Sequence, residues 1–224
     1  MPDEWSNKEF AEDWDSGGAT EHPVRKEHLD MLVSIISDGY VSGKSILDLG
    51  YGSGQVEEML YVQIPDANIV GVDSSNVMIE LSKKKLGDNF KKLTAINRSL
   101  EDVENLELPK GDYQYVISVQ ALHHLTHDQQ KNIFQFAYNA LGSGGSFLVI
   151  DRIDLDIQSF EQSYKSIYEK MFNKPFEGYK KDIKQKGDYP ATPEEHVSWL
   201  EEIGFKATCL SKKFDRAFML GIKS

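Results

Sequence analysis

The sequence predicts an α/β fold built on a mostly parallel sheet, and two stretches carry that prediction. Ile46, Leu47 and Leu49 form a short apolar run that passes into glycine at every second position, Gly50, Gly52 and Gly54, before a helical pattern opens at Gln55. Asn68-Ile69-Val70-Gly71-Val72-Asp73 repeats the arrangement as a second apolar strand, closed by a carboxylate and followed by Ser74-Ser75 and a helix over 76–86. A strand–loop–helix unit of this kind presents free backbone N–H groups at the carboxyl end of a parallel strand. That is where open α/β sheets bind ligands.

Ahead of the first strand, Trp5, Phe10 and Trp14 lie in an acidic segment that ends at Gly17-Gly18. Leu29, Leu32, Val33 and Ile36 then recur at helical spacing, so residues 24–37 should form an amphipathic helix packed on the sheet. The glycine loop admits two readings that spacing separates. A dinucleotide fingerprint, G-x-G-x-x-G, would need glycine where Gln55 stands, and no Lys-Ser or Lys-Thr pair follows to make a phosphate-binding P-loop. The pattern is instead D-x-G-x-G-x-G, from Asp48 to Gly54.

This pattern resembles the first motif of the class I S-adenosylmethionine-dependent methyltransferases, and the likeness continues over residues 24–224. Tyr113 to Val119 looks like the family's fourth strand, Gln120-Ala121-Leu122-His123-His124-Leu125 like the segment after it, and Leu141 to Ile150 like its Gly-Gly turn and fifth strand. Residues 205–210 and 214–222, with a turn at 211–213, look like the closing antiparallel hairpin. The resemblance implies a Rossmann-like three-layer αβα sandwich with a seven-stranded sheet. It implies S-adenosylmethionine as cofactor, S-adenosylhomocysteine as product, and Asp48, Gly50, Gly52, Gly54, Asp73, Ser74, Leu100 and Gln120 around the cofactor. Asp73 would take the ribose hydroxyls; the alternative is that Asp73 or Ser75 caps the following helix. In related small-molecule enzymes the amino-terminal segment, here residues 1–23, folds over the cofactor, which would turn Trp14 and Arg25 toward its methionine end. Otherwise Trp14 fills a gap and Arg25 lies on the surface.

Two positions depart from the family pattern. Where many relatives carry an acid for the adenine amino group, this chain has Ser99 and Leu100, with Glu101 and Asp102 just beyond. Either Ser99 and backbone groups read adenine, or the shifted acids do. Tyr51 stands between the first two glycines, where relatives often have a smaller residue.

His123, His124 and His127 follow the fourth strand, which in this architecture lies beside the transferable methyl group. Histidine takes a proton near neutral pH, so His124, with His123 beside it, is the candidate general base. A structural role for the pair at the strand end is the alternative. His123 and His127 would share a helix face as metal ligands sometimes do, but no third ligand is spaced to join them, and no metal is expected. Asp151 and Arg152 end the fifth strand on the same rim. The segment 152–190 is the expected substrate cap. It carries Ile157, Phe160, Tyr164, Ile167, Tyr168 and Met171 at helical spacing; most of that stripe should be core, while the hydroxyls of Tyr164, Tyr168 and Tyr179, with Arg152, are candidates to face the acceptor. Thr192-Pro193-Glu194-Glu195 reads as a helix start with an N-cap, a proline at N1 and a capping box.

Composition bounds the function. The chain has 224 residues and a formal charge of −11, from 36 acids against 25 bases, which argues against generic binding to a nucleic-acid backbone or an anionic membrane. Lys83-Lys84-Lys85 should be a solvated helix face, and the lone Cys209 should pack in the core. No apolar run reaches the roughly 18 residues of a membrane span, and no signal peptide is evident, so a cytoplasmic protein is expected, monomeric or homodimeric. No Asn-Pro-Pro-Tyr or Asp-Pro-Pro-Tyr follows the fourth strand, and the paired glutamates of protein arginine methyltransferases are missing. A small-molecule methyltransferase is the reading that remains. Its rivals are a non-catalytic cofactor-binding protein, a different nucleotide-dependent enzyme on the same scaffold, and a tRNA-modifying relative that uses a derivative of S-adenosylmethionine.

Overall fold

The structure, a computed structural model, describes residues 3–18, 23–155, 161–172 and 187–224. A short helix α1 (Lys8–Asp13) and a π-helical turn over Trp14–Gly18 precede the long helix α2 (Pro23–Gly39). Strand β1 (Ser45–Leu49), helix α3 (Gln55–Gln63), strand β2 (Asn68–Asp73), helix α4 (Asn76–Leu86) and strand β3 (Leu93–Asn97) follow in alternation. The second half contains β4 (Tyr113–Val119), α5 (His127–Ala140), β5 (Leu141–Arg152), α6 (Glu161–Phe172), α7 (Pro193–Ile203), β6 (Phe205–Lys213) and β7 (Arg216–Lys223).

The seven strands form one sheet in the order β3-β2-β1-β4-β5-β7-β6. β1 to β5 run parallel, and β7 is antiparallel to both of its neighbours. All five residues of β1 are buried, as a central parallel strand covered on both faces requires. Alternation along that strand assigns the two cores: Leu47 and Leu49 pack with Val70, Val116, Phe134 and Phe147 under α5 and α7, while Ile46 packs with Ile69, Leu32, Ile36 and Leu60 under α2 and α3. Helices on both faces make the three-layer sandwich.

Local chemistry sets the ends of the elements. Thr126 with Gln129 and Thr192 with Glu195 each close a capping box, which starts α5 and α7, and Pro193 occupies N1 of α7. The register between β4 and β5 jumps from Tyr113↔Leu141 to Tyr115↔Ser146, and the Gly-Gly turn absorbs the extra residues with Gly144 at φ +76°. The hairpin turn expected at 211–213 lies instead at Phe214 and Asp215. A bulge between Cys209 and Ser211 lets β6 run on to Lys213, and Phe214 takes φ +51° to reverse the chain. Cys209, expected in the core, packs against it but is only half-buried, because β6 is an edge strand. Ile167 of the expected core stripe is 47% exposed on α6, so the stripe does not join the core there. Ile157, Phe160 and Tyr179 lie outside the described residues, as do the side chains of Tyr164 and Met171. Among the described residues, no helix is long and apolar enough to cross a membrane.

Candidate active site

β1 and β4 are neighbours, but the helices that follow them, α3 and α5, pack on opposite faces of the sheet. This divergence opens a crevice beyond their carboxyl ends. Asp48, Gly50, Tyr51 and Gly52 line it from β1 and its loop, Asp73, Ser75 and Met78 from the β2 side, and Val119, Gln120, Ala121 and His124 from the end of β4. Trp5 and Trp14 of the amino-terminal segment and Arg25 of α2 complete the wall.

The glycines have separate tasks. Gly50 has φ +88°, and a Cβ there would stand 2.5 Å from the Cβ of Ala121, so only glycine lets the two loops approach. Gly52, at φ +58°, opens on free space and donates its N–H to Asp73 Oδ2 at 2.9 Å. Gly54 does not line the crevice; it is the left-handed N-cap of α3, and a Cβ there would press on Ser82 and Leu86 of α4 at 3.1 and 3.3 Å. Asp73 also accepts the Ser75 N–H at 2.8 Å. Burial raises its pKa, against the opposing donors Ser75, Gly52 and Ser74. The cap of α4 is Ser75, whose hydroxyl accepts the Met78 N–H, so Asp73 is not spent on capping.

Gln120 adopts φ +57°, a left-handed conformation uncommon outside glycine, held by its N–H donating to the Ile150 carbonyl at 2.8 Å. Such strain gathers at ligand sites. Its Nε2 is buried with no hydrogen-bond partner among the described residues, and the same holds for both oxygens of Asp48 and for Nε of Arg25. Arg25 is 6% exposed, lies 4.6 Å over the Trp14 ring and donates to Gln55 at 3.0 Å. Burial and the neighbouring Arg216 lower it to about 10, against Asp15, which leaves it cationic at neutral pH. The amino-terminal segment is tied down at both ends of its run: Ser75 donates to the Trp5 carbonyl at 2.7 Å, and Asp15 accepts from Ser53 and Lys85. Lys85 therefore departs from the solvated face expected of the lysine run, because Asp15 draws it into the segment's contact.

On the β4 side, the His124 ring lies 5.8 Å from that of Trp5, and its Nδ1 sits 2.9 Å from Asp188 Oδ1. Asp188 Oδ2 in turn accepts from Arg152 at 2.9 Å, and Arg152 also faces Asp215 at 3.8 Å. Burial raises the Asp188 pKa, but the hydrogen bond from His124 and the Arg152 guanidinium outweigh it and hold the carboxyl below its usual range. An ionised carboxylate on Nδ1 holds the proton there, which leaves Nε2 of His124 as the acceptor. His123 stacks on His124 with centroids 4.0 Å apart, but it lies outside the crevice, bound through Nδ1 to Asp151. Burial lowers its pKa despite Asp151, so it stays neutral.

Residues 46–145 match the family described as "Methyltransferase domain". The chain is 29% identical over 120 residues to malonyl-[acyl-carrier protein] O-methyltransferase 1 of Ilyobacter polytropus, covering 54% of this chain and 42% of that one. It is 26% identical over 195 residues to the carboxy-S-adenosyl-L-methionine synthase of Helicobacter hepaticus, covering 82% of this chain and 79% of that one. In fold it is similar to the magnesium protoporphyrin IX methyltransferase of Synechocystis solved with S-adenosylhomocysteine, with TM-score 0.68 at 16% identity, over 99% of this chain and 97% of that one. The chain is thus similar in sequence, over residues 46–145, to methyltransferase domains, and similar in fold to a solved methyltransferase.

The structure brings Trp14, Arg25, Asp48, Gly50, Gly52, Asp73, Gln120 and His124 to one crevice. Gly54, Ser74, Ser99 and Leu100 are not among its walls. Ser99 caps a 3-10 turn over Leu100–Asn105, and Leu100 is buried beneath Gly50. Glu101 and Asp102 are exposed. Tyr51 is accommodated because its ring lies over Gly71 of β2, where a Cβ would meet it at 2.8 Å. His123 and His127 do not share a helix face: His123 sits in a 3-10 turn, α5 begins at His127, and the His127 ring packs 5.2 Å from Trp199. His123, His124 and Asp188 do bring one ligand atom each within 4.8 Å of one another, but the Arg152 guanidinium on Asp188 opposes a second cation there. Arg152 and Tyr168 do not line the crevice, and Tyr179 lies outside the described residues. Sequence reasoning missed Trp5, Gln55, Met78 and Asp188 as site residues. Only Trp5 left a signal, as an aromatic in a polar segment.

Proposed function

We propose that this protein is a methyltransferase that moves a methyl group from S-adenosylmethionine to an O, N or C nucleophile of a small molecule, with His124 as general base. The supporting observation is that the glycine loop, the Asp73 carboxylate and a histidine–aspartate pair open on one crevice. The buried polar atoms without partners suit a zwitterionic nucleoside: Asp48 offers acceptors, and Arg25 and Gln120 offer donors. Asp73 keeps lone pairs for a ribose diol beside the Gly52 and Ser75 N–H bonds it accepts. Gly50 and Gly52 allow close main-chain approach, Met78 borders the adenine side, and Trp14 with Arg25 borders the amino-acid end.

S-adenosylmethionine supplies a methyl group already activated on a sulfonium. The protein's part is alignment, exclusion of water and, for a protonated acceptor, removal of a proton. Trp5 and Trp14 cover the crevice, and Asp188 holds His124 so that Nε2 takes the proton. Arg152 serves by fixing Asp188. Tyr164, Tyr168 and Tyr179 belong to the segment we assign to covering the acceptor.

The long match to carboxy-S-adenosyl-L-methionine synthases favours a second reading, in which the chain modifies the cofactor itself. Mass spectrometry of the nucleoside product separates the two: S-adenosylhomocysteine for methyl transfer, a heavier cofactor for the alternative. Titration calorimetry tests the site. S-adenosylmethionine and S-adenosylhomocysteine should bind and NAD should not, and Asp73→Ala should weaken binding at least about tenfold, about 1.4 kcal/mol. Undiminished affinity in Asp73→Ala would remove the assignment.

A further inference from the structure

Behind the crevice wall stands a second acid that the methyl transfer does not use. Glu57, on the first turn of α3, is fully buried, and Asp48, at the end of β1, is 1% exposed. The two carboxyls face each other, and none of their four oxygens has a hydrogen-bond partner of ordinary geometry among the described residues. Asp48 belongs to the crevice wall; Glu57 does not. Two buried carboxylates in contact cannot both stay ionised, because desolvation and mutual repulsion each favour a proton on the pair.

Among the described residues, no cation pairs with either carboxyl. Asp73 at the end of β2 adds further repulsion, and the hydroxyls of Tyr51 and Tyr61 are buried without a partner among the described residues. From α4, Lys85 acts on Glu57 from a distance and is itself paired with Asp15 of the amino-terminal segment. From α2, Arg25 donates to Gln55, and His124 on the opposite wall is held by Asp188. Burial first, then the neighbouring acids, pushes Asp48 well up, and burial raises Glu57 to about 7.

We infer that Glu57 makes the cofactor site a proton-exchange site: the empty Asp48–Glu57 pair holds a shared proton, which leaves to solvent when a ligand ammonium settles against Asp48. This rests on the cofactor reading proposed above. It makes the amino-acid end of the ligand, rather than the nucleoside alone, the part whose recognition depends on pH. A nucleoside without an ammonium gives the pair no reason to ionise.

The test is calorimetry of the whole chain with S-adenosylhomocysteine near pH 7, in two buffers of different ionisation enthalpy, and again at pH 6 and pH 8. Between about half and one proton should be released per ligand, and affinity should be about five- to tenfold weaker at pH 6 than at pH 8, since a tenfold change accompanies each unit of a fully linked titration. 5′-Methylthioadenosine, which keeps the nucleoside and thioether but has no ammonium, should release no proton and bind alike at both pH values. Glu57→Gln should abolish most of the release with S-adenosylhomocysteine and hold its affinity within about twofold from pH 6 to pH 8. Equal release by the two ligands, or undiminished release in Glu57→Gln, overturns the inference; the two-ligand comparison needs no variant. S-adenosylhomocysteine binding that is tight and independent of pH, with no proton release, overturns the inference and leaves the cofactor reading standing. No binding of S-adenosylhomocysteine at any pH overturns both.

Discussion

Single residues set the chemistry of the crevice through what they exchange with the backbone. Gly52 and Ser75 orient the Asp73 carboxylate through their N–H groups, and Ser75 rather than Asp73 caps α4. Gln120 stores strain at the end of β4 and keeps an amide donor without a partner among the described residues. His124 depends on a neighbour 64 positions along the chain, Asp188, to choose its tautomer. His124→Gln should lower the turnover of a protonated acceptor about 10²- to 10⁴-fold, as loss of a general base does. Asp188→Asn should also lower it, because an amide on Nδ1 no longer enforces the tautomer, and raising the pH should not restore the rate. Single-turnover kinetics with a responsive acceptor measures both; unchanged rates in His124→Gln would leave the pair with a structural role.

Helices α5 and α7 are joined to the loop that carries Asp188 by one buried side chain. Gln130 donates to the carbonyls of Leu125 and Tyr189 at 2.8 and 2.7 Å, and its Oε1 faces His196 Nε2 of α7 at 3.0 Å. Nδ1 of His196 is buried without a partner among the described residues, so a second proton on the ring has nowhere to go. Burial, helped by His127, lowers its pKa from 6.5 to about 4, against Asp151 and Glu195. The folded state therefore binds fewer protons than the unfolded state between those values. This contribution to stability is complete above about pH 6.5 and drains away as the pH falls toward 4. Urea unfolding of the wild type and His196→Gln should show the wild type losing about 2 kcal/mol more than the variant between pH 7 and pH 5. Parallel losses in the two proteins would mean that the ring is not held neutral.

Across the whole molecule, the crevice joins segments far apart in sequence, from Trp5 and Trp14 through the loop after β1 to the end of β4. Ligand binding should therefore slow amide exchange together in residues 3–18, 50–56 and 119–124, while residues 205–208 and 220–223, which pair at the open end of the β6–β7 hairpin, should not change. Exchange measured by mass spectrometry with and without S-adenosylhomocysteine reads this directly. Protection confined to 50–56 would show that the aromatic segment takes no part in holding the ligand.

The order of strands and helices, the glycine loop and the carboxylate of Asp73 were legible in the sequence because each is local: apolar runs of strand length, glycine where a Cβ cannot fit, a capping box written in four residues. So was the crevice itself, since alternating strands and helices leave it at the end of β1. Tyr51 was legible only as a departure, although Gly71, the residue that makes room for its ring, was in view within β2. What needed the tertiary structure was every assignment in which one element completes another. Gly54 spaces α3 against α4 instead of lining the crevice, and Arg152 is drawn to Asp188 and Asp215. Asp188 reaches His124 from beyond a long connection, and Glu57 turns a single acid at the end of β1 into a pair. Sequence periodicity records which face of an element is buried, but which charges meet is decided by how separate elements pack.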